Sequence, residues 1–474
     1  LKSYDTKSIR NICLVGHGGS GKTSLAETLL FNSGVTNRIG KVTDGNTVSD
    51  YLPEEIQRHV SISTSLIPIE HSGVKVNILD TPGYSDFIGE VISSLRVVEC
   101  GALILCGVGG VEVQAEIIWD LMDERQLPRI AFINKLDREN SNAEKVLEQL
   151  KTVFPQARFV QMQIPIGKEA NFEKVIYIFQ KDIPDNYKDD ISILKEALTE
   201  AAAEADDDIL MKYLEGEALD DTELKTITRK ALAQNMIVPV LFGSTEKNIG
   251  IKEFIQFIVD YVPVPTPIEE KAALVFKTLA DPYLGKMTFF RVYGGVFTSD
   301  SVVYNSTREV DEKMGQLFYL RGKNQDNTSS VQAGDIAVVA KMQEVKTGDT
   351  LCAKDKSIVL EAIKFPLPCL PLAVKPKSKG DEDKLGFALS RLVDEDPTIS
   401  VTKNIETKQT ILSGLEEMQL DIVCEKLTRK FGVAVETQVP KVPYRETIKK
   451  EVQVESKHKK QTGGHGLYGH VWIR

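Results

Sequence analysis

The sequence predicts a multidomain α/β protein whose first domain carries an inserted subdomain, followed by a β-barrel and then by a ferredoxin-like α+β domain. A chain of 474 residues is long enough for about three domains. Over its first half, short apolar runs alternate with helical patterns, which indicates a mostly parallel sheet covered by helices on both faces. After residue 267, short β-type runs separated by glycine turns indicate all-β structure.

The first domain is predicted to span residues 1–268. Its apolar runs lie at 11–15, 75–79, 102–106, 130–133 and 238–242, and helical patterns such as Asp86–Glu99 and Glu112–Arg125 separate them. The interval between the fourth and fifth runs is far longer than one helix and one strand require. We therefore expect an inserted subdomain at about 155–235, which includes an acidic, alanine-rich helix from Ile191 to Gly216.

Three later domains are predicted from the remaining residues. Prolines at 263, 265 and 267 mark a stiff boundary, after which residues 269–360 are expected to form the β-barrel. Residues 361–441 read as strand, helix, strand, strand, helix, strand, which is the ferredoxin-like order. Residues 442–474 begin another domain and stop inside it, and residue 1 is not Met, so we expect a truncated fourth domain and a fragment.

A glycine-rich loop follows the first apolar run and precedes a helical pattern from Ser24 to Phe31. It fits the phosphate-binding pattern GxxxxGK[ST], in which glycines let backbone N–H groups converge on phosphate oxygens at a helix N-terminus. Lys22 is expected to reach the β- and γ-phosphates, and the Thr23 hydroxyl to bind Mg²⁺. The predicted phosphate-binding residues are Gly16, His17, Gly18, Gly19, Ser20, Gly21, Lys22, Thr23 and Ser24.

Two further segments complete the predicted phosphate and metal site. The run at 75–79 ends in Asp80, Thr81, Pro82 and Gly83, where the Asp80 carboxylate can hold Mg²⁺ through water and the Gly83 N–H can contact a γ-phosphate. The polar segment from Asp50 to Ser65 has no helical period and carries Ser61, a candidate second hydroxyl ligand. The predicted metal ligands are therefore Thr23, Ser61 and Asp80.

A third motif, Asn134, Lys135, Leu136 and Asp137, indicates which base the site accepts. The Asp137 carboxylate can accept hydrogen bonds from N1–H and the exocyclic amine of guanine, whereas adenine offers neither donor there. Mispairing leaves buried polar groups unmatched, at about 1–3 kcal/mol per group. The run at 238–242 leads into Gly243, Ser244 and Thr245, where a backbone N–H can meet guanine O6. The expected ligands are GTP and GDP with Mg²⁺.

Taken together, these motifs resemble the translational GTPases, and most closely elongation factor G in its divergent second paralogue. The resemblance covers the whole chain, with Asp50–Ser65 as switch I and Asp80–Phe87 as switch II. Further motifs that carry it are Ala280-Asp281-Pro282-Tyr283, Arg291-Val292-Tyr293, Val442-Pro443-Tyr444-Arg445-Glu446-Thr447 and Gln461-Thr462-Gly463-Gly464-His465-Gly466.

The resemblance implies a ribosome-associated GTPase of translation elongation, of the translocation-factor type, whose hydrolysis the ribosome stimulates. Its partners would be ribosomal RNA and proteins, and tRNA through the missing fourth domain. The resemblance implies a fragment that is expected to lack most of the fourth and all of the fifth domain. We expect a cytoplasmic monomer that does not enter a membrane, since no apolar run approaches the roughly 18 residues of a membrane span. The net charge is −10, so RNA contact would have to be local, for example at Lys375, Lys377 and Lys379.

This sequence departs from the family pattern where chemistry is expected. The catalytic group implied by the resemblance is Lys22, Gly83 and Tyr84, but the family usually has His in place of Tyr84. A phenol with an ordinary pKa near 10 cannot supply an imidazolium at neutral pH, although its hydroxyl can still orient water. An alternative therefore stays open, a GTP-dependent ribosome-binding accessory or protection factor with little hydrolysis of its own. A generic P-loop ATPase is a third interpretation, which Asp137 opposes.

Overall fold

The computed structural model describes residues 2–281, 285–461 and 463–474. Pro282, Tyr283 and Thr462 of the family motifs lie outside these residues. An α/β domain is followed by an all-β domain and then by an α+β domain, which confirms the predicted multidomain fold class.

The first domain is built on a seven-stranded sheet of order β2-β3-β1-β4-β5-β9-β6, parallel except for β2. Strands β7 and β8 form a separate antiparallel hairpin that is not part of this sheet. The strands are β1 Ile9–Val15, β2 Ser65–His71, β3 Val74–Asp80, β4 Cys100–Cys106, β5 Arg129–Asn134, β6 Phe159–Gln161, β7 Gln163–Ile166, β8 Lys174–Tyr177 and β9 Val238–Phe242.

Nine α-helices accompany these strands within the described residues of the domain. They are α1 Lys22–Asn32, α2 Pro53–Arg58, α3 Ile88–Leu95, α4 Val113–Glu124, α5 Ala143–Val153, α6 Lys188–Ala202, α7 Asp207–Leu214, α8 Asp221–Ala233 and α9 Ile251–Tyr261. The central strands β1, β3, β4, β5 and β9 are buried along nearly their whole length, as expected for a sheet covered on both faces. The glycine-rich loop follows β1, and Asp80, Asn134 and Gly243 stand at or just after the ends of β3, β5 and β9. The parallel topology thus collects all the predicted nucleotide motifs at one edge of the sheet.

Two local expectations were wrong. The segment Asp50–Ser65 contains a helix, α2, which begins with Pro53 at its first turn and is capped by the Glu55 carboxylate on the Leu52 N–H. The predicted helix over Ile191–Gly216 is two helices, because Asp206 adopts an extended backbone and its side chain caps α7 by accepting from the N–H groups of Asp208 and Ile209. Hydrophobic period alone does not reveal such side-chain caps.

The second domain consists of an eight-stranded antiparallel sheet of order β14-β13-β19-β10-β11-β18-β15-β16 and a two-stranded sheet of β12 and β17. Both sheets contribute side chains to one core, for example Phe297 from β12 and Phe290 from β11. The strands are β10 Ala272–Asp281, β11 Gly285–Gly294, β12 Val296–Thr298, β13 Ser301–Asn305, β14 Val310–Met314, β15 Leu317–Arg321, β16 Asn324–Thr328, β17 Ser330–Gln332, β18 Ile336–Ala340 and β19 Thr350–Cys352.

The third domain has the strand and helix order of the ferredoxin-like pattern. Its elements are β20 Leu370–Pro376, α10 Glu382–Glu395, β21 Ser400–Asn404, β22 Gln409–Gly414, α11 Glu417–Phe431 and β23 Val435–Gln438. The sheet has the order β21-β22-β20-β23 and is antiparallel throughout. The first and last strands of the domain in chain order, β20 and β23, are therefore neighbours. The last residues form an antiparallel hairpin of β24 Val454–Gln461 and β25 Gly466–Ile473, whose described side chains are all exposed.

Buried charges join the first two domains. Lys75 of β3 is fully buried and its ammonium donates to both carboxylate oxygens of Asp335 at 2.8 Å, while it also lies over the ring of Tyr319. Arg291 pairs with Glu99 in the same interface. Because breaking a buried ion pair leaves an uncompensated charge, these contacts oppose separation of the domains. Among the described residues, no helix is both long and apolar enough to cross a membrane.

Candidate nucleotide site

The phosphate loop runs from the end of β1 to the start of α1, and two of its glycines have no room for a side chain. Gly16 has φ +140°, and a Cβ there would lie 2.4 Å from the Ile104 carbonyl oxygen. Gly21 has φ +99°, and its Cβ would lie 2.4 Å from the amide nitrogen of Asn134. The left-handed backbone and the close neighbours both require glycine. The loop is therefore packed directly against β4 and against the start of the base motif.

Lys22 lies inside this loop. Its side chain is buried, and the ammonium donates to the carbonyl oxygens of Gly16 at 2.8 Å and His17 at 3.0 Å. Burial lowers the pKa of Lys22 to about 8, although the carboxylates of Asp80 and Asp50 oppose that shift. The cation is thus held where a bound phosphate chain would supply compensating negative charge.

The three predicted metal ligands converge beside Lys22. The hydroxyl oxygens of Thr23 and Ser61 lie 3.0 Å apart, although the residues are far apart in sequence. Asp80 is buried, and neither of its carboxylate oxygens has a hydrogen-bond partner among the described residues. Burial and the neighbouring Asp50 carboxylate raise the pKa of Asp80 to about 7. An unpartnered carboxylate beside two hydroxyls is an all-oxygen donor set of the kind that Mg²⁺ prefers, so these residues fit the metal.

Asp50 also belongs to this site, although it was predicted only as the first residue of switch I. It is buried, and one of its carboxylate oxygens is without a hydrogen-bond partner in the described part of the chain. Burial raises its pKa, while the Ser61 hydroxyl and the Lys22 ammonium lower it. Asp50 lines a cavity of about 240 Å³ together with Lys22, Thr23 and Ser61. The sequence offered no signal that this acidic residue is buried, because the segment around it is polar.

Gly83 and Tyr84 cover the phosphate loop from the switch II side. A Cβ on Gly83 would lie 2.4 Å from the Lys22 ammonium and 2.7 Å from the Gly18 backbone nitrogen. The Tyr84 ring lies against Gly18, where a Cβ would approach its Cε2 to 2.9 Å, and 41% of the Tyr84 residue surface is exposed. Both residues line the 240 Å³ cavity. Next to them Pro82 is buried, and the Thr81 hydroxyl donates to the Leu14 carbonyl at 2.6 Å, which fixes switch II to the end of β1.

The predicted base motifs are joined by hydrogen bonds. The Asn134 amide donates to the Ser20 carbonyl at 3.1 Å, and its oxygen accepts from the Thr245 N–H at 3.1 Å. The Ser244 hydroxyl donates to one carboxylate oxygen of Asp137 at 2.5 Å. A single side chain, Asn134, therefore ties the phosphate loop to the segment after β9.

Neighbouring residues reinforce this arrangement. The Gly243 carbonyl accepts from the Leu136 N–H at 3.3 Å, and the Lys135 ammonium donates to the Gly19 carbonyl. His17 lies at the rim, with its Nε2 3.5 Å from a Glu112 carboxylate oxygen, while Ser24 lines the cavity. The structure thus brings every residue of the predicted site to one edge of the sheet.

Four family models match consecutive parts of the chain. The Elongation factor Tu GTP binding domain matches residues 7–264 and Elongation factor G domain 2 matches residues 270–354. Elongation Factor G, domain III, matches residues 365–439, and Elongation factor G, domain IV, matches residues 440–474. Among solved structures, the chain is similar to the crystal structure of ttk003000868 from Thermus thermophilus, with 32% sequence identity and a TM-score of 0.88. That likeness covers 98% of this chain and 72% of the other.

Proposed function

Because the chain belongs to the elongation factor family with the elongation factor Tu GTP-binding domain, we propose a more specific function for it. We propose that it is a ribosome-associated GTPase of the translocation-factor type. The domains of this family make it a guanine-nucleotide-binding GTPase of translation elongation. We further propose that it is most similar to the divergent second paralogue of elongation factor G. The proposed boundaries are 1–268, 269–360, 361–441 and 442–474, with the inserted subdomain at about 155–235.

The observation that carries the proposal is the hydrogen-bonded link from Asp137 to the phosphate loop. The Ser244 hydroxyl takes one of the acceptor positions of the Asp137 carboxylate and fixes its orientation, and the remaining positions on the two oxygens can accept from the two donors of a guanine edge. Asn134 holds the Ser20 carbonyl and the Thr245 N–H at the same time, which fixes the distance between base and phosphates. A rigid spacing of this kind holds the base and the phosphates in one relative position, and the polar groups that face the base then discriminate guanine from adenine.

Thr23, Ser61 and Asp80 would hold Mg²⁺, which when bound neutralises charge on the β- and γ-phosphate oxygens. Lys22 supplies a fixed positive charge against the same oxygens. The Gly83 N–H is proposed to contact the γ-phosphate, and the Tyr84 hydroxyl to orient the attacking water. Ordering of both switches by the γ-phosphate, and their release after hydrolysis, would change how the later domains are held.

The partners proposed for this GTPase are ribosomal RNA and ribosomal proteins, with tRNA contacted through the fourth domain. The protein is proposed to act as a monomer in the cytoplasm. Hydrolysis is proposed to be slow in the free protein and stimulated by the ribosome.

Tyr84 supports a second candidate function, a GTP-dependent ribosome-binding accessory factor with little hydrolysis. Its ring lies against Gly18 at the mouth of the cavity, and a phenol offers neither a base nor a cation at neutral pH. Multiple-turnover GTP hydrolysis, measured with and without ribosomes, separates the two candidates. Strong stimulation supports the translocation-type GTPase, whereas tight GTP-dependent ribosome binding without turnover supports the accessory factor.

The Tyr84→Phe variant tests the role of the hydroxyl. We expect the ribosome-stimulated rate to fall by about tenfold or more, equivalent to roughly 1.4 kcal/mol of barrier, with GTP affinity nearly unchanged. An unaltered stimulated rate would remove Tyr84 from the catalytic group.

A further inference from the structure

We propose that Glu55 is the positioning residue of switch I, which ties the two ends of this segment together and so holds the Ser61 hydroxyl at the metal site. The inference rests on the proposed function in that Ser61 is taken as a metal ligand. Glu55 is not one of the proposed nucleotide or metal ligands, and it acts through backbone N–H groups.

Three backbone N–H groups donate hydrogen bonds to one buried carboxyl group. Glu55 Oε2 accepts from the Leu52 N–H at 3.0 Å, and Oε1 accepts from the N–H groups of Ile62 at 3.0 Å and Ser63 at 3.1 Å. Only 1% of Glu55 is exposed. One side chain on α2 therefore bridges the residue before the helix to the two residues that immediately follow Ser61.

The Glu55 bridge holds the two N–H groups that follow Ser61. Other contacts hold the far end of the segment, where Glu90 accepts from the Thr64 N–H at 2.8 Å and Lys277 donates to the Thr64 carbonyl at 2.9 Å and to the Ser63 hydroxyl. Helix α2 has six residues and is too short to be stable by itself, and His59 then ends it in a left-handed conformation with φ 54°. Strand β2 begins only at Ser65. Between these two points, the N–H groups of Ile62 and Ser63 both depend on the Glu55 carboxylate.

The Glu55 carboxyl is kept in a setting that disfavours its charge. Burial, and after it the Asp50 carboxylate, raise the pKa of Glu55 to about 8, and the hydrogen bonds from the N–H groups of Leu52, Ile62 and Ser63 offset this only in part. Removing the carboxylate would leave two buried N–H groups beside Ser61 without acceptors. We expect the 59–64 segment to open, and the Ser61 hydroxyl to leave Thr23.

The experiment compares Glu55→Gln and Glu55→Ala with the parent and with Gln57→Ala, an exposed position on the same helix that serves as the control. The first measurement is hydrogen exchange of the amides of 59–64 in the nucleotide-free full chain. The second is the affinity for GDP and for the non-hydrolysable analogue guanosine 5′-(β,γ-imido)triphosphate, each as a function of Mg²⁺ concentration. Glu55→Gln keeps the side-chain volume but replaces one acceptor by an amide donor, so a milder loss than in Glu55→Ala is expected.

We expect both Glu55 variants to lose exchange protection at 59–64 while Gln57→Ala keeps it. Affinity for GDP should stay within about twofold of the parent, affinity for the imido analogue should fall by about tenfold, and added Mg²⁺ should recover part of that loss. A role in overall folding alone would weaken both nucleotides equally and raise exchange throughout the first domain. Unchanged exchange at 59–64, or equal loss for the two nucleotides, overturns the proposal.

The two arms separate this inference from the proposed function. A parent chain that binds neither nucleotide defeats the proposed function, but the exchange measurement still decides whether Glu55 holds the 59–64 segment.

Discussion

The contact between switch I and the third domain predicts that two neighbouring ion pairs differ in strength. Glu54 of α2 accepts from Arg429 Nε at 2.7 Å and from Nη2 at 3.1 Å, in a bidentate pair. One turn further along the same face of this short helix, Arg58 Nη2 donates to Glu425 at 2.5 Å. In the first pair α2 supplies the carboxylate and α11 the guanidinium, and in the second pair these roles are reversed. The two pairs together therefore hold α2 and α11 in one register.

The burial of the charges decides the expected magnitudes. The Glu54 side chain is 3% exposed and that of Arg429 is 36% exposed, whereas those of Arg58 and Glu425 are 27% and 40% exposed. Loss of one partner in a fully buried pair costs about 3–5 kcal/mol, and the partial exposure of Arg429 reduces this to roughly 1–3 kcal/mol. For the more exposed pair we expect about 0.2–1 kcal/mol.

We expect the coupling energies of the two pairs to rank in the same order as these costs, and two double-mutant cycles measure them. Glu54→Ala, Arg429→Ala and their combination form one cycle, and Arg58→Ala, Glu425→Ala and their combination form the other. Hydrogen exchange of the α2 amides gives local opening free energies, which are needed because a multidomain chain does not unfold in one step. A coupling energy for Glu54 and Arg429 below about 0.3 kcal/mol, or one no larger than that of the exposed pair, would refute the reasoning.

Three further predictions concern the nucleotide and the buried charges. Asp137→Asn should shift preference from guanine toward xanthine nucleotides, because an amide can donate to the carbonyl that replaces the amine; equal displacement of labelled GDP by ATP and GTP from the parent would contradict the base assignment. Lys22→Ala should weaken GTP binding by several kcal/mol, as measured by titration, and a change within about threefold, roughly 0.7 kcal/mol, would show that the loop is not used as proposed. Burial is the largest cause that raises the pKa of Glu55 from its ordinary 4.5 to about 8, and the Asp50 carboxylate is the second. Between these two pH values the folded state keeps a proton that the unfolded state releases. The stability of the nucleotide-free protein should therefore fall as pH rises from about 5 to 8. Hydrogen exchange of the α2 amides, followed as a function of pH, should show a smaller fall in local opening free energy for Glu55→Gln. An identical pH profile in both proteins would exclude Glu55 as the source.

The amino-acid sequence by itself determined the identity of the chemical groups and the order of the domains. The phosphate loop, the segment from Asp80 to Gly83 and the motif from Asn134 to Asp137 are each contiguous, because each follows one buried strand and turns its backbone or side chains toward one ligand. Parallel strands separated by helices then place those turns on the same edge of the sheet. Contiguous motifs and the alternation of buried strands with helices therefore predict that these three segments meet at one edge of the sheet.

Only the tertiary structure decided which polar residues are buried and what compensates them. Glu55 and Asp50 lie in a polar segment that gave no sign of burial, yet both are almost completely enclosed in the folded chain. Glu54 meets Arg429 across 375 positions of sequence, and Asn134 meets Thr245 across 111. The physical reason is that burial and pairing depend on which distant elements pack against a residue, and that information is absent from any local pattern of residue types.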